Sequence, residues 1–151
     1  MKSTIRNKEQ VEEAIDFSVI NNLLPDKISL TDIDGAIERN GHVLLLEKKM
    51  HKMRFNMGQH MLLTSQVLKN QTHVIYYCVQ GEKILRADFY PSQIKKPEDI
   101  LKVQTYESSY EEIAESIHDW YKWADAQPKI KGLSSAVWKY CRGIREEEEA
   151  A

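Results

Sequence analysis

The chain has 151 residues, of which 42% are hydrophobic and 29% charged, and its formal net charge is −2. This length is typical of one domain with its own core, and this composition excludes a disordered or fibrous protein. No apolar run approaches the roughly 20 residues that cross a bilayer, and the first residues lack the apolar segment of a signal peptide. The two cysteines, Cys78 and Cys141, lie far apart in the sequence and are expected to be reduced thiols. We therefore expect a cytoplasmic protein with no membrane segment.

The first predicted elements are a helix and a hairpin. Apolar positions over residues 8–24 follow the helical period and predict an amphipathic helix that packs on a sheet. An acidic strand over 27–38 and an apolar strand over 42–49 are predicted on either side of Asn40 and Gly41, because an Asn-Gly pair in this position is a strong hairpin signal. Residues 27–30 could instead form a short strand of their own.

The rest of the chain continues this alternation of helices and strands. Residues 72–79 are continuously apolar, β-branched or aromatic, which predicts a strand buried on both faces. The other predicted elements are a loop over 50–57, a helix over 58–70, a turn at 80–82, a more exposed strand over 83–90, a short strand over 101–106, a helix from Ser108 or Ser109 to about Ala126, and a last helix over 132–144 capped by Ser134 or Ser135. An acidic tail, residues 146–151, is expected to be frayed.

This order of elements predicts the α/β (α+β) class, with a central mixed β-sheet of about four to five strands flanked by helices. The helix between the second hairpin strand and the buried strand implies a crossover and a sheet covered on both faces. Neither an internal repeat nor a Gly/Ser-rich linker interrupts the chain. We therefore predict a single domain over residues 1–145.

Acidic and basic side chains gather at the open end of the predicted hairpin. Residues two apart on a strand share a face, so Glu47 and Lys49 point the same way. The same rule places Asp32 and Asp34 on one face of the first strand. With the turn at residues 40–41, the register brings Asp34 close to Glu47. Two carboxylates and a lysine on one side of a sheet can hold a divalent cation beside a phosphate, and the alternative is that they are plain solvated residues.

The order of elements, with acids on one strand and Glu-x-Lys on the next, resembles the PD-(D/E)XK nuclease superfamily. More narrowly, the segments TDIDGAIE, GHVLLLEKK and GQ look like small phage and prophage proteins of that superfamily. The resemblance covers residues 8–80 and implies a restriction-endonuclease-like αβββαβ core with extra C-terminal helices. It departs from the family pattern at Thr31, where a proline usually precedes the aspartate.

The resemblance assigns roles to particular residues. The family aspartate falls on Asp34 or Asp32, the glutamate on Glu47, the lysine on Lys49 and the glutamine of the following helix on Gln59. It implies that Asp34, Glu47 and the backbone carbonyl of Lys48 bind Mg²⁺ or Mn²⁺, with Asp32 a candidate ligand for a second ion. It implies that Lys49 orients the attacking water or neutralises charge developing on phosphorus. Gln59 would position the lysine, the water or a phosphate, and the alternative is a plain polar residue of the first helical turn.

The implied activity is that of a metal-dependent deoxyribonuclease in a bacterial or phage-infected cell, which hydrolyses phosphodiester bonds of DNA. Lys48, Lys52 and Arg54 could contact the nucleic acid or could be solvated. One alternative function is a catalytically silent member of the fold that binds nucleic acid or protein as a phage accessory module. Another is an interaction module whose aromatic C-terminal helices form an oligomer. A homodimer is also compatible with a nuclease.

Overall fold

The computed structural model describes residues 17–26, 30–49 and 56–151. The chain divides into two units, Met1–Asp32 and Ile33–Ala151. In the first unit, helix α1 (Ser18–Leu23) ends before Pro25, and the Asn21 side chain accepts a hydrogen bond from the Leu30 N–H (2.8 Å). The earlier part of the predicted helix over 8–24, through residue 16, lies outside the described residues. No helix in the described part of the chain is long and apolar enough to cross a membrane.

The second unit contains a five-stranded mixed sheet in the spatial order β1-β2-β3-β4-β5. Its strands are β1 (Gly35–Arg39), β2 (His42–Lys49), β3 (His73–Gln80), β4 (Lys83–Phe89) and β5 (Tyr106–Ser108). Strands β2 and β3 are parallel and the other neighbouring pairs are antiparallel. Asn40 and Gly41 both adopt positive φ angles, 52° and 83°, which the tight turn between β1 and β2 requires. The predicted hairpin, crossover and mixed sheet are confirmed.

Helices cover both faces of this sheet because consecutive side chains of each strand point to opposite faces. Helix α2 (Met57–Asn70) connects β2 to β3 and packs on one face, where the core includes Leu45, Leu63, Val67, Val74, Tyr76 and Phe89. Helix α3 (Tyr110–Asp125), with Ser109 as its N-cap, packs on the other face, where the core includes Leu44, Ile75, Trp120 and Ala124. Helix α4 (Leu133–Ala150) follows and has no buried residue.

Two predicted strands differ from the structure. Residues 30–34 are not a strand, because β1 begins at Gly35, so the prediction that Asp32 and Asp34 share a strand face was wrong. The prediction of a more exposed strand over 83–90 was also wrong, since β4 lies between β3 and β5 and buries Arg86, Ala87 and Phe89. Polar residues in β4 therefore do not mark a solvent-facing strand.

The C-terminal part also differs from its prediction. A 3-10 helix (Pro97–Lys102) occupies the start of the predicted strand over 101–106, and two backbone N–H groups donate to the Asp99 carboxylate at its N-terminus. Helix α4 continues through the acidic tail to Ala150, and the fraying of residues 146–151 stays a prediction. Glutamate favours helix, and Arg145 forms an ion pair with Glu149 one turn later (3.3 Å). The helix begins after Gly132 with no side-chain cap, so the predicted caps by Ser134 or Ser135 were wrong.

Candidate active site

Two carboxylate side chains complete the open end of the β1–β2 hairpin. The last backbone pair of the ladder is Gly35 with Leu46. Beyond it, the Lys48 N–H donates to Asp34 Oδ2 (2.7 Å), and the Asp34 N–H donates to Glu47 Oε2 (3.3 Å). The two carboxylates thus accept hydrogen bonds from backbone N–H groups that one more residue pair of the ladder would otherwise bond to backbone carbonyls. The structure brings Asp34 and Glu47 together, as the register predicts, although Asp34 lies just before β1.

Gln59 links the two buried charged residues of β2. Glu47 and Lys49 are each only 5% exposed and lie on the face of the sheet that α2 covers. The Gln59 side-chain amide donates to Glu47 Oε1, and its carbonyl oxygen accepts from Lys49 Nζ. Asn56, the N-cap of α2, accepts a hydrogen bond from the Gln59 N–H (3.2 Å) and fixes the first turn. Gln59 therefore connects Glu47 to Lys49, which a solvated first-turn residue would not do.

An aromatic pair, Tyr76 and His60, forms one wall of this cluster. The sequence patterns did not predict that either residue belongs to the site. Tyr76 lies beside Glu47 in the parallel register of β2 and β3, and Lys49 Nζ lies 5.1 Å from its ring centroid. The His60 ring stacks on Tyr76 with centroids 5.4 Å apart. His60 itself is half-buried. The signal that could have found Tyr76 is the crossover, because it makes β2 and β3 neighbours.

Burial shifts both charged groups of β2 toward their neutral forms. Burial raises the pKa of Glu47, and the Asp34 carboxylate adds to this effect, against the opposing influence of hydrogen bonds and of Lys49. Burial also lowers the pKa of Lys49, although both carboxylates act in the opposite direction. The pKa of His60 is lowered, first by burial and further by Lys49. Perturbed groups of opposite sign in one place are typical of sites that perform chemistry.

The donor set fits an ion that prefers oxygen ligands. Mg²⁺ is commonly held by one or two carboxylates, with water and substrate phosphate oxygens completing its coordination. Asp34 and Glu47 supply two carboxylates, and each carboxylate oxygen can accept more than one interaction. Asp34 is exposed, so the cluster is open to solvent on that side. Within the described ranges, no group of three or more His, Cys, Asp and Glu residues could hold a metal ion.

The remaining predicted residues are placed as follows. Lys48 is exposed near the end of β2. Asp32 is exposed and belongs to the first unit, and its role as a ligand stays a prediction. Lys52 and Arg54 lie outside the described residues, so their nucleic-acid contacts also stay predictions.

A cavity of about 610 Å³ lies elsewhere in the second unit. It is lined by Gln71, His73, Tyr90, Pro91, Ser92, Ser116, Asp119, Trp120 and Trp123. Trp120 donates a hydrogen bond to His73 Nδ1 (3.1 Å), and burial lowers the pKa of His73 to about 4, so this half-buried histidine is neutral. Asp119 is the single carboxylate in the lining, and no lysine or arginine accompanies it. The carboxylate cluster therefore suits phosphate chemistry better than this larger cavity does.

Comparison of the chain with protein-family models, with curated proteins and with solved structures gives no match. Family membership is therefore not shown, and the restriction-endonuclease-like core stays a prediction within the mixed five-stranded architecture. The chemistry of Asp34, Glu47, Lys49 and Gln59 is what indicates a function. The two carboxylates can bind a hard cation, and Lys49 can hold a positive charge beside it. Gln59 orients the side chains of both Glu47 and Lys49.

Proposed function

We propose that the protein is a metal-dependent nuclease that hydrolyses phosphodiester bonds of DNA. The observation that carries the proposal is the hydrogen-bonded set of Asp34, Glu47, Gln59 and Lys49. These residues converge from the position just before β1, the end of β2 and the first turn of α2. The resemblance of Asp34 and Glu47-x-Lys49 to the PD-(D/E)XK pattern supports it. A wall of buried residues on one side and an exposed carboxylate on the other would let a phosphate approach from solvent.

Asp34, Glu47 and the backbone carbonyl of Lys48 would hold Mg²⁺ or Mn²⁺. When bound, such an ion supplies a Lewis acid for a phosphate oxygen and lowers the pKa of a bound water. Burial disfavours the ionised form of Glu47, so a cation beside it offsets the cost of keeping that carboxylate charged. The site would thus gain its working charge state together with the metal.

Lys49 and Gln59 act as a pair in this proposal. The Gln59 carbonyl oxygen fixes the direction of the Lys49 ammonium, and the Gln59 amide holds Glu47 in place at the same time. A positive charge held beside two carboxylates can orient the attacking water or neutralise charge developing on phosphorus. Since Lys49 is buried, its interaction with a phosphate is screened less than that of a surface lysine.

Cleavage of single-stranded, duplex and branched DNA, with Mg²⁺ or Mn²⁺, tests the proposal. We expect Glu47→Gln and Lys49→Met each to lower the cleavage rate by about 10²–10³, the range seen when one group that stabilises a transition state is removed. Lys83→Met is the matched control, because Lys83 is an exposed lysine on β4 that pairs with Glu107 (2.9 Å). Metal-dependent cutting that both site variants retain would place the activity elsewhere.

A catalytically silent member of the same fold is the second candidate. It is favoured by the small number of acids at the site, since the described residues contribute two carboxylates and no larger acidic group. Such a protein would bind DNA or another protein without cutting. DNA binding by the wild type, with no cleavage of any of the three substrates at either metal, would support this candidate.

A further inference from the structure

Helix α4 carries an apolar face that is exposed along the helix. It spans Leu133–Ala150, contains no buried residue, and is exposed at every position except Gly143. An isolated helix of this length is only marginally stable in water, and most helices in proteins are stabilised by packing of an amphipathic face. The large apolar side chains of α4 are nevertheless 40–71% exposed. This helix therefore has the composition of a packed element without the packing.

The apolar residues of α4 follow the spacing of a coiled-coil seam. Leu133, Val137, Tyr140 and Ile144 are separated by four, three and four residues, which is the 3.5-residue repeat of two helices packed together. At 3.6 residues per turn these four side chains fall in a stripe about 60° wide. Trp138, which is equally exposed, lies well outside that stripe.

The charges at the two ends of the seam are opposite in sign. Lys129 and Lys131 precede α4, and four glutamates, Glu146–Glu149, end it. In an antiparallel pair with Leu133 opposite Ile144 of a second copy, Glu146 and Glu148 come nearest to Lys131 and Lys129 of that copy, which directly precede its helix. A parallel pair would place both sets of glutamates side by side. Charge complementarity therefore selects the antiparallel arrangement.

We propose that α4 is a homodimerisation helix, and that a second copy of this chain covers its apolar face in antiparallel orientation. A seam of four residues in each copy is short, so the dimer forms at high protein concentration and dissociates on dilution. An antiparallel pair has a twofold axis, so one surface meets itself and the assembly closes at two copies. The proposal depends on none of the residues of the candidate active site.

Sedimentation equilibrium of the full chain, from low-micromolar to near-millimolar concentration, tests the assembly. We expect the wild-type mass to rise from monomer to dimer, and the dissociation constant to increase at least tenfold in Val137→Asp and in Tyr140→Ser. Trp138→Ser is the matched control, because Trp138 and Tyr140 are 70% and 71% exposed and only Tyr140 lies in the seam. As no residue of α4 is buried, these substitutions leave the sheet and its core intact, which circular dichroism and thermal unfolding verify.

Two further measurements test the orientation. Lys129→Glu with Lys131→Glu should weaken the dimer, and adding Glu146→Lys and Glu148→Lys to the same chain should restore it. Spin labels at Ala150→Cys, in a Cys141→Ser background with Cys78 buried, should lie about 35 Å apart along the axis at 1.5 Å per residue. A separation of about 10 Å would indicate a parallel pair and overturn the proposal. A monomer at every concentration, or a dimer that Tyr140→Ser leaves unchanged, would also overturn it.

Discussion

Two clusters of buried charge lie on opposite faces of the same sheet and differ in how the charge is compensated. On the α2 face, Glu47 and Lys49 are joined through the neutral amide of Gln59. On the α3 face, Arg86 is 3% exposed and donates directly to the Asp88 carboxylate (2.7 Å). In the first cluster, burial moves the pKa values of Glu47 and Lys49 toward their neutral forms despite the compensating interactions. In the second cluster, the interactions of Arg86 keep its pKa raised despite burial.

The surroundings of Arg86 explain why its charge is stable. Its further hydrogen bonds go to Ser116 Oγ (2.8 Å), the Glu112 carbonyl (3.4 Å) and the Tyr90 hydroxyl (3.4 Å). Burial opposes the charged form, yet the bond and the charge of Asp88 raise the pKa of Arg86. A guanidinium with its donors satisfied in this way cross-links β4 to α3 and offers little to a ligand. The comparison teaches that incomplete compensation, rather than buried charge as such, distinguishes the candidate active site.

The largest expected effect is the loss of stability when the Arg86 side chain is removed. Arg86→Met should lower the free energy of unfolding by about 3–5 kcal/mol, because it leaves the largely buried Asp88 carboxylate without its positively charged partner. Lys83→Met removes another cation of β4, but its ion pair with Glu107 of β5 is exposed, so the loss of stability should be much smaller. Urea unfolding of both variants measures the difference, and equal losses would contradict the structural role of Arg86.

A smaller effect is expected from replacing Gln59, which joins Glu47 to Lys49 in the candidate active site. Gln59→Met should lower metal affinity or the cleavage rate by about 10–100-fold, the usual loss when a residue that orients metal ligands is removed. Gln66→Met is the control, since Gln66 is the same residue type two turns further along α2 and bonds to Asn70 instead. Metal titration and cleavage assays of both variants test the prediction. Equal losses in the two variants would show that Gln59 acts only through helix stability.

The smallest effect is a change in the pH dependence of stability. The pKa of Glu47 is raised in the folded protein above its ordinary value of 4.5, so between these two values the folded state binds more protons than the unfolded state. This contribution to stability is fully present below pH 4.5 and is lost as the pH rises through the folded pKa. Urea unfolding from acid to neutral pH measures how the free energy of unfolding depends on pH. This dependence should be flatter for Glu47→Gln than for wild type, with slopes that differ by at most about 1.4 kcal/mol per pH unit.

Local patterns in the sequence predicted the elements that depend on neighbouring residues. The Asn40-Gly41 pair gave the hairpin, the apolar run of β3 gave a buried strand, and Ser109 gave the N-cap of α3. The proximity of Asp34 to Glu47 also followed, because a two-residue turn fixes the register of the strands that it joins. The observed hydrogen bonds at the open end of the hairpin agree with that register.

Features that depend on distant parts of the chain were not predictable in this way. Tyr76 joins the cluster because the crossover places β3 beside β2, and a single strand pattern does not give its neighbour. Arg86 and Asp88 resemble the polar face of an exposed strand, but Arg86 is buried and Asp88 half-buried because α3 and β5 supply partners. Asp34 lies before β1 because its carboxylate, rather than its backbone, accepts the Lys48 N–H.

Paramagnetic broadening of amide signals by Mn²⁺ tests the central claim most directly, because it locates a bound ion without relying on activity. The claim predicts loss of the Lys48 and Gln59 amide signals at Mn²⁺ concentrations that leave those of Asn40 and Gly41 unchanged, because this turn lies at the opposite end of β2, roughly 20 Å away at about 3.3 Å per residue. It also predicts that the double variant Asp34→Asn, Glu47→Gln removes this local effect while the protein stays folded. Broadening centred on another part of the chain, or local broadening that persists in the double variant, would contradict the assignment of the end of β2 as a metal site.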